Sequence, residues 1–258
     1  MKLTSGTAEK DGIELALRNP YHFSATNSKI LSWQGCELAI EGECASEAIT
    51  QPPNPAVNPA TSYLNLHMAL SDMRAAAEQS RIEGPRVLIA GPAGAGKTTL
   101  VRTLAAYATR QGDQPLVVNT DPRDSMLSLP GTLSASVFAT VMDPEAADAW
   151  GSTPTSGPSL VPVKLPLVYL YGRERADEND ENGQMYKQLI SKMAEAVSGR
   201  LSEDLDVRKS GVVVDTMAIN QESENDLDLL CHVVDELSGL FNSTTGTTLV
   251  LSHDRVTD

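Results

Sequence analysis

Eight residues, Gly91-Pro92-Ala93-Gly94-Ala95-Gly96-Lys97-Thr98, limit the folds open to this chain. They fit the pattern G-x-x-x-x-G-K-[ST], whose backbone N–H groups cradle phosphates. Its glycines let the backbone turn tightly and aim those groups inward. The pattern works between a strand and a helix, because the helix adds its positive N-terminal end. Both flanks are present. Val87-Leu88-Ile89-Ala90 is a short apolar run before the loop, and a helical pattern runs from Lys97 to about Arg110. The loop therefore predicts ATP or GTP binding through Gly91, Gly94, Ala95, Gly96, Lys97, Thr98 and Thr99. Lys97 would reach the β and γ phosphates, and the Thr98 hydroxyl would be a ligand for Mg²⁺.

Such a loop also needs an acidic residue at the end of a neighbouring strand, to hold the Mg²⁺ shell or orient the nucleophile. Two residues qualify. Asp121 follows Leu116-Val117-Val118-Asn119-Thr120, and Asp215 follows Val212-Val213-Val214. Both are candidate metal residues together with Thr98. Asp121 is also the candidate catalytic base should the protein transfer a phosphoryl group. The plainer reading of each is a strand-end turn residue.

The rest of the chain alternates strand and helix patterns. Helical spacing covers 61–81, 183–201 and 225–240, and apolar strands occur at 116–118, 163–171, 212–214 and 248–251. Alternation of this kind predicts an α/β P-loop domain with a mostly parallel sheet covered on both faces. Residues 1–48 differ: short alternating runs such as Ile13-Glu14-Leu15-Ala16-Leu17 and Cys36-Glu37-Leu38-Ala39-Ile40 are separated by turn residues, as in a small antiparallel β domain. Trp33 is read as part of its core. Four prolines in 49–60 mark a linker. The expected division is an N-terminal β domain over 1–48, a linker and helix over 49–82, and the P-loop domain over 83–258.

A formal charge of −14 argues against a broad basic surface for nucleic acid. Cys36, Cys44 and Cys231 lack the spacing of a zinc site or a disulfide framework. No run of about 18 apolar residues suggests a membrane span. His232 reads as packing in an apolar helix, and His22, His67 and His253 have no partner at useful spacing. Residues 143–162 read as a surface loop. The acidic run over 174–181 reads as a solvated loop, and Lys164, Arg173 and Arg175 read as exposed charge.

Several segments beyond the loop are more specific. They include Asn119-Thr120-Asp121-Pro122-Arg123, Leu127-Ser128-Leu129-Pro130-Gly131-Thr132-Leu133-Ser134-Ala135, Trp150-Gly151-Ser152-Thr153-Pro154 and Pro166-Leu167-Val168-Tyr169. With Thr4-Ser5-Gly6-Thr7-Ala8-Glu9, Trp33-Gln34-Gly35-Cys36 and Tyr63-Leu64-Asn65-Leu66-His67, they resemble fungal members of the polynucleotide 5′-hydroxyl-kinase family. Those members serve as a subunit of the pre-mRNA cleavage and polyadenylation factor. The resemblance extends from residue 2 to about 230. It implies an N-terminal β-sandwich before the P-loop domain, ATP with Mg²⁺, and nuclear work on mRNA 3′ ends. The implied partners are the cleavage-factor scaffold protein and other processing subunits, with RNA met indirectly and no membrane.

The chain departs from the active kinases of that family. The Gly-Trp clasp for RNA is replaced by Thr216-Met217-Ala218-Ile219, and the Gly-Gln segment after the strand-end Asp by Pro122-Arg123-Asp124. The chain also lacks the family's first nucleotide-binding glutamate, its lid arginines and its C-terminal domain, so it looks truncated at both ends. Phosphoryl transfer depends on positioning and charge stabilisation, and these departures point to a catalytically silent ATP-binding adaptor. An active 5′-hydroxyl kinase and a generic P-loop ATPase switch are the alternatives. No N/T-K-x-D motif is present to select GTP.

Overall fold

A computed structural model describes residues 1–50, 58–124, 126–146, 150–154, 162–176, 183–220 and 222–238, and the backbone of 248–252. Much of the proline linker and parts of the loops expected over 143–162 and 174–181 lie outside the described residues, as does His253.

The N-terminal region forms two small antiparallel sheets. Strand β1 (Lys2–Gly6) pairs with β5 (Cys36–Ala39), while β2 (Glu9–Lys10) pairs with β3 (Ile13–Glu14) and β4 (Ile30–Leu31). Leu3, Ala8, Leu15 and Tyr21 fill the space between. Trp33 does not join them. It is 44% exposed, a correction to the sequence reading. It sits in the turn after β4, beyond the last paired residue, so the alternation that marks the strands no longer decides where its side chain goes.

Helix α1 (Pro59–Ser80) begins two residues before the expected helix. Asn58 caps it by accepting from the Ala60 N–H at 3.1 Å, and Pro59 occupies the first turn, where no N–H is needed. The helix stops at Arg81, which is left-handed at φ 56°.

The main sheet has the order β11-β6-β10-β7-β8-β9. Strands β6 (Arg86–Ala90), β7 (Leu116–Asn119), β10 (Val212–Asp215) and β11 (Thr248–Ser252) run parallel, whereas β8 (Thr132–Val137) and β9 (Leu167–Leu170) continue the sheet antiparallel. Strand β9 is shorter than the apolar run 163–171 suggested.

Side-chain alternation separates two cores. Leu88, Val118, Val212 and Val214 face α3 (Gln184–Glu203), α4 (Leu205–Ser210) and α5 (Glu224–Leu237). Val87, Ile89, Val117 and Val213 face α1 and α2 (Lys97–Arg110). Strands buried on both faces read as continuous apolar runs, which is why β6, β7 and β10 were legible. The β8 run Thr132-Leu133-Ser134-Ala135-Ser136-Val137 alternates polar with apolar and was missed. Its Ser134 is fully buried, its hydroxyl satisfied by the Met126 carbonyl at 2.9 Å.

The N-terminal sheets dock on α2 through the β2–β3 turn. Gly12, at φ 81°, lies so close to α2 that an added Cβ would stand 3.0 Å from the Thr103 carbonyl oxygen. Beside it the Tyr107 hydroxyl donates to Glu9 Oε1 at 2.6 Å, with both residues buried. Burial and the adjacent Glu9 hold the Tyr107 phenol well above its usual range, so it stays a donor. Removing that donor strands a buried carboxylate. Tyr107→Phe is expected to destabilise the protein by about 1–3 kcal/mol, read as a lower urea midpoint. An unchanged midpoint would mean that this contact does not hold the two regions together.

Candidate functional site

The phosphate loop occupies the turn between β6 and α2, at the carboxyl end of the parallel strands. Gly94 and Gly96 have φ of 72° and 85°, the region that costs glycine least. Gly96 is also the N-cap of α2, so Lys97, Thr98 and Thr99 form its first turn. The N–H groups of a first turn have no partner within their own helix and present a partial positive charge. Ala95 is buried under the loop, its N–H directed at the Pro92 carbonyl at 3.3 Å. Lys97 is 8% exposed, and its Nζ folds back to the Pro92 carbonyl at 3.4 Å. The ammonium is thus held inside the curve of the loop.

The parallel register places the acidic residues beside this loop. Asp215 ends β10 opposite Ile89 on one side and Asn119 on the other. Asp121 lies two residues past β7. The side chain of Asn119, itself buried, orders that turn: its oxygen accepts from the Asp121 N–H at 2.9 Å and its Nδ2 donates to the Asp124 carbonyl at 2.6 Å. Asp124 in turn accepts from the Thr98 hydroxyl at 2.8 Å. The structure therefore brings Lys97, Thr98, Asp121 and Asp215 together and adds Asp124 and Asn119, which the sequence reading had not assigned. Their only sequence signal was position, flanking Asp121 in the segment after β7.

The electrostatics of this cluster favour a cation. Burial pushes the Asp215 carboxyl up to about 7, the neighbouring Asp124 and Asp121 push the same way, and Thr98 and Lys97 oppose it. Burial also raises Asp121, against the Arg123 N–H and Lys97. Oδ1 of Asp215 is buried with no hydrogen-bond partner among the described residues. Such an atom is costly unless another group meets it. No three His, Cys, Asp or Glu side chains among the described residues converge closely enough to hold a metal by themselves. A cation here would need oxygens from elsewhere.

A cavity of about 310 Å³ opens beside the loop, lined by Ala93, Asp121, Arg123, Arg175, Met217 and Asp226 among others. Arg175 is exposed, as the sequence suggested. Lys164 is not: it is 6% exposed, with Nζ 5.1 Å from the centre of the Phe138 ring. Its aromatic partner lies far away in the chain, so the local sequence carries no sign of this burial. His232 packs between α5 and α3, with Nε2 3.0 Å from the Lys187 carbonyl oxygen. Among the described residues, no helix is long and apolar enough to cross a membrane.

A P-loop domain with a small β-sandwich on its first helix is the class that this fold and site define. Comparison with known proteins narrows it. Residues 91–238 match the family described as the mRNA cleavage and polyadenylation factor CLP1 P-loop, and residues 1–77 match the N-terminal beta-sandwich domain of polyadenylation factor. The chain belongs to the CLP1 family. It is 48% identical over 242 residues to the mRNA cleavage and polyadenylation factor CLP1 of Pyricularia oryzae, covering 92% of this chain and 51% of that protein. The Aspergillus niger factor is 46% identical over 239 residues, covering 92% and 47%. The chain thus spans about half the length of the curated relatives it matches.

Two solved structures share the fold. A wild-type Clp1p–Pcf11p complex matches with a TM-score of 0.76 at 31% identity, covering 100% of this chain and 56% of that one. A second, describing an extended Pcf11p–Clp1p interface and the basis for ATP loss in a point mutant, matches with a TM-score of 0.73 at 31% identity, covering 96% and 55%.

The raised Asp215 carboxyl has a measurable consequence for the nucleotide-free protein. Its folded-state value lies above the ordinary carboxylate range, so stability falls as pH rises from about 4 to about 7. Asp215→Asn removes that dependence. The variant is expected to gain stability over the parent above pH 7, with the gain vanishing toward pH 4, as read by denaturant melts across that range. A constant difference at all pH values would rule out Asp215 as the titrating group.

Proposed function

We propose that this chain is an ATP-binding subunit of the nuclear machinery that cleaves and polyadenylates mRNA 3′ ends, and that it works as a catalytically silent adaptor. The observation that carries the nucleotide reading is the pairing of a phosphate cradle with an unsatisfied buried carboxylate. Gly91, Gly94, Ala95, Gly96, Lys97, Thr98 and Thr99 would hold the phosphates. Mg²⁺ would supply charge neutralisation between the phosphates and the strand-end acids. Thr98 would meet it directly, while Asp121 and Asp215 would meet it through water. Oδ1 of Asp215, left without a partner among the described residues, fits that role. ATP rather than GTP is favoured because no guanine-selecting motif is present.

The silent character rests on the cavity beside Asp121. Where the active kinases of the family carry a Gly-Trp clasp, this chain lines the cavity with Met217 and Ala218. Neither offers the flat aromatic face on which a nucleic-acid base stacks. Arg123 and Arg175 line the same cavity and favour a second reading, an active polynucleotide 5′-hydroxyl kinase with Asp121 as base.

The partner proposed is a scaffold of the cleavage factor, since two of the matched solved structures hold Clp1p with Pcf11p. The division proposed is an N-terminal β domain over 1–48, a linker and helix over 49–82, and the P-loop domain over 83–258.

Two measurements test this. The purified protein is denatured and its released nucleotide identified by ion-exchange chromatography. Stoichiometric ATP is expected, whereas ADP would signal turnover and favour the kinase. Lys97→Ala should weaken ATP binding by about ten- to a hundredfold, the scale of a lost charge-assisted contact. Equal affinity by calorimetry would remove the basis for placing the phosphates in this loop.

A further inference from the structure

After β10 the chain crosses the start of the phosphate loop through Thr216–Asn220 before turning into α5. Three hydrogen bonds pin this crossing. The Thr216 hydroxyl donates to the Ile89 carbonyl at 2.9 Å. The Ile219 N–H donates to the carbonyl of Gly91, the first residue of the phosphate loop, at 3.1 Å. The Asn220 N–H donates to Asp226 Oδ2 at 2.9 Å. Two of these bonds hold β6 and the loop, and the third joins the crossing to α5.

Asp226 is placed unusually for a residue in a first helical turn. Ser223 is the N-cap of α5, and its hydroxyl accepts from the Asp226 N–H at 3.2 Å. In the common reciprocal arrangement, the acidic side chain three residues on would return to the cap's own N–H. Here the Ser223 N–H goes instead to the Asn220 carbonyl at 3.0 Å. The Asp226 carboxylate, on a residue only 4% exposed, is directed at the crossing segment and lines the cavity beside Asp121.

We propose that Asp226 is a positioning residue for the nucleotide. By fixing Asn220 it presents the Ile219 N–H to Gly91 and holds the first peptide of the phosphate loop, so that affinity for nucleotide is set from α5. The inference rests on the nucleotide-binding reading above. Its physical basis is the permissiveness of the loop. Gly91, Gly94 and Gly96 add backbone freedom, and Pro92 has no N–H with which to tie the loop down. A loop that samples many shapes binds less tightly in proportion to the fraction that is competent. An anchor from outside the loop raises that fraction. Coupling of this kind is reciprocal, so bound nucleotide must also steady the Ile219 and Asn220 amides.

The full chain is compared with Asp226→Ala, Asp226→Asn and Lys97→Ala. The readouts are calorimetric affinity for ATP with Mg²⁺, melting without nucleotide, and amide exchange. Asp226→Asn keeps an oxygen acceptor for the Asn220 N–H, whereas Asp226→Ala removes it. Asp226→Ala is expected to weaken ATP binding about tenfold, the scale of one lost hydrogen bond, while Asp226→Asn stays within about twofold of the parent. ATP should slow exchange at Ile219 and Asn220 in the parent and in Asp226→Asn, but not in Asp226→Ala. Parent-like affinity in a folded Asp226→Ala overturns the proposal, as does equal weakening in both variants. Should Asp226→Ala fail to fold, exchange in the parent decides: no slowing at Ile219 and Asn220 under saturating ATP overturns it. Absence of ATP binding by the parent, or equal binding by Lys97→Ala, overturns the nucleotide reading itself and this proposal with it.

Discussion

The parallel pairing of β6 with β10 is the constraint on which the site depends. It sets Asp215 level with Ile89, two residues before the phosphate loop begins. Neither strand could shift by one residue without turning its buried side chains to the opposite core. Val213 faces α2 while Val212 and Val214 face α3 and α5, so both cores pack against β10. The position of a carboxylate beside a phosphate cradle is thereby fixed by apolar packing far larger than the polar site itself.

That arrangement gathers buried acidic groups at the site. Lys97 brings one positive charge into a recess that also holds Asp121 and Asp215, with Asp124 at its edge. Burial, with the neighbouring acids, shifts the Asp215 and Asp121 carboxyls upward. Carboxyls shifted in this way are common at functional sites. Helix α5 shares in the arrangement through the crossing at Thr216–Asn220, which ties it to the end of β6.

The loop and its two strand-end acids were legible because each sits at a boundary between an apolar strand and a turn, where little but local sequence decides the backbone. The two-faced burial of β6, β7 and β10 was legible for a related reason: their valine-rich runs leave no polar face. What escaped was whatever depended on pairing at a distance. Strand β8 hides serines in the core because Met126 offers one of them a carbonyl. Lys164 is buried because Phe138 lies beneath it, and Trp33 is exposed because β4 ends before it. Asp124 could be counted in the sequence, but only Asn119 and Thr98, gathered by the turn after β7, give it a place.

Strand order also has a consequence for biosynthesis. The phosphate loop leaves the ribosome before the neighbours of β6, which are β10 and β11. Until Val212–Asp215 emerges, Val87 and Ile89 have no partner strand in this sheet, and the apolar run before the loop stays open. Pairings of long sequence separation close slowly and leave such edges open to other chains. Between residues 90 and 212 of synthesis that edge is therefore open to pairing with other chains.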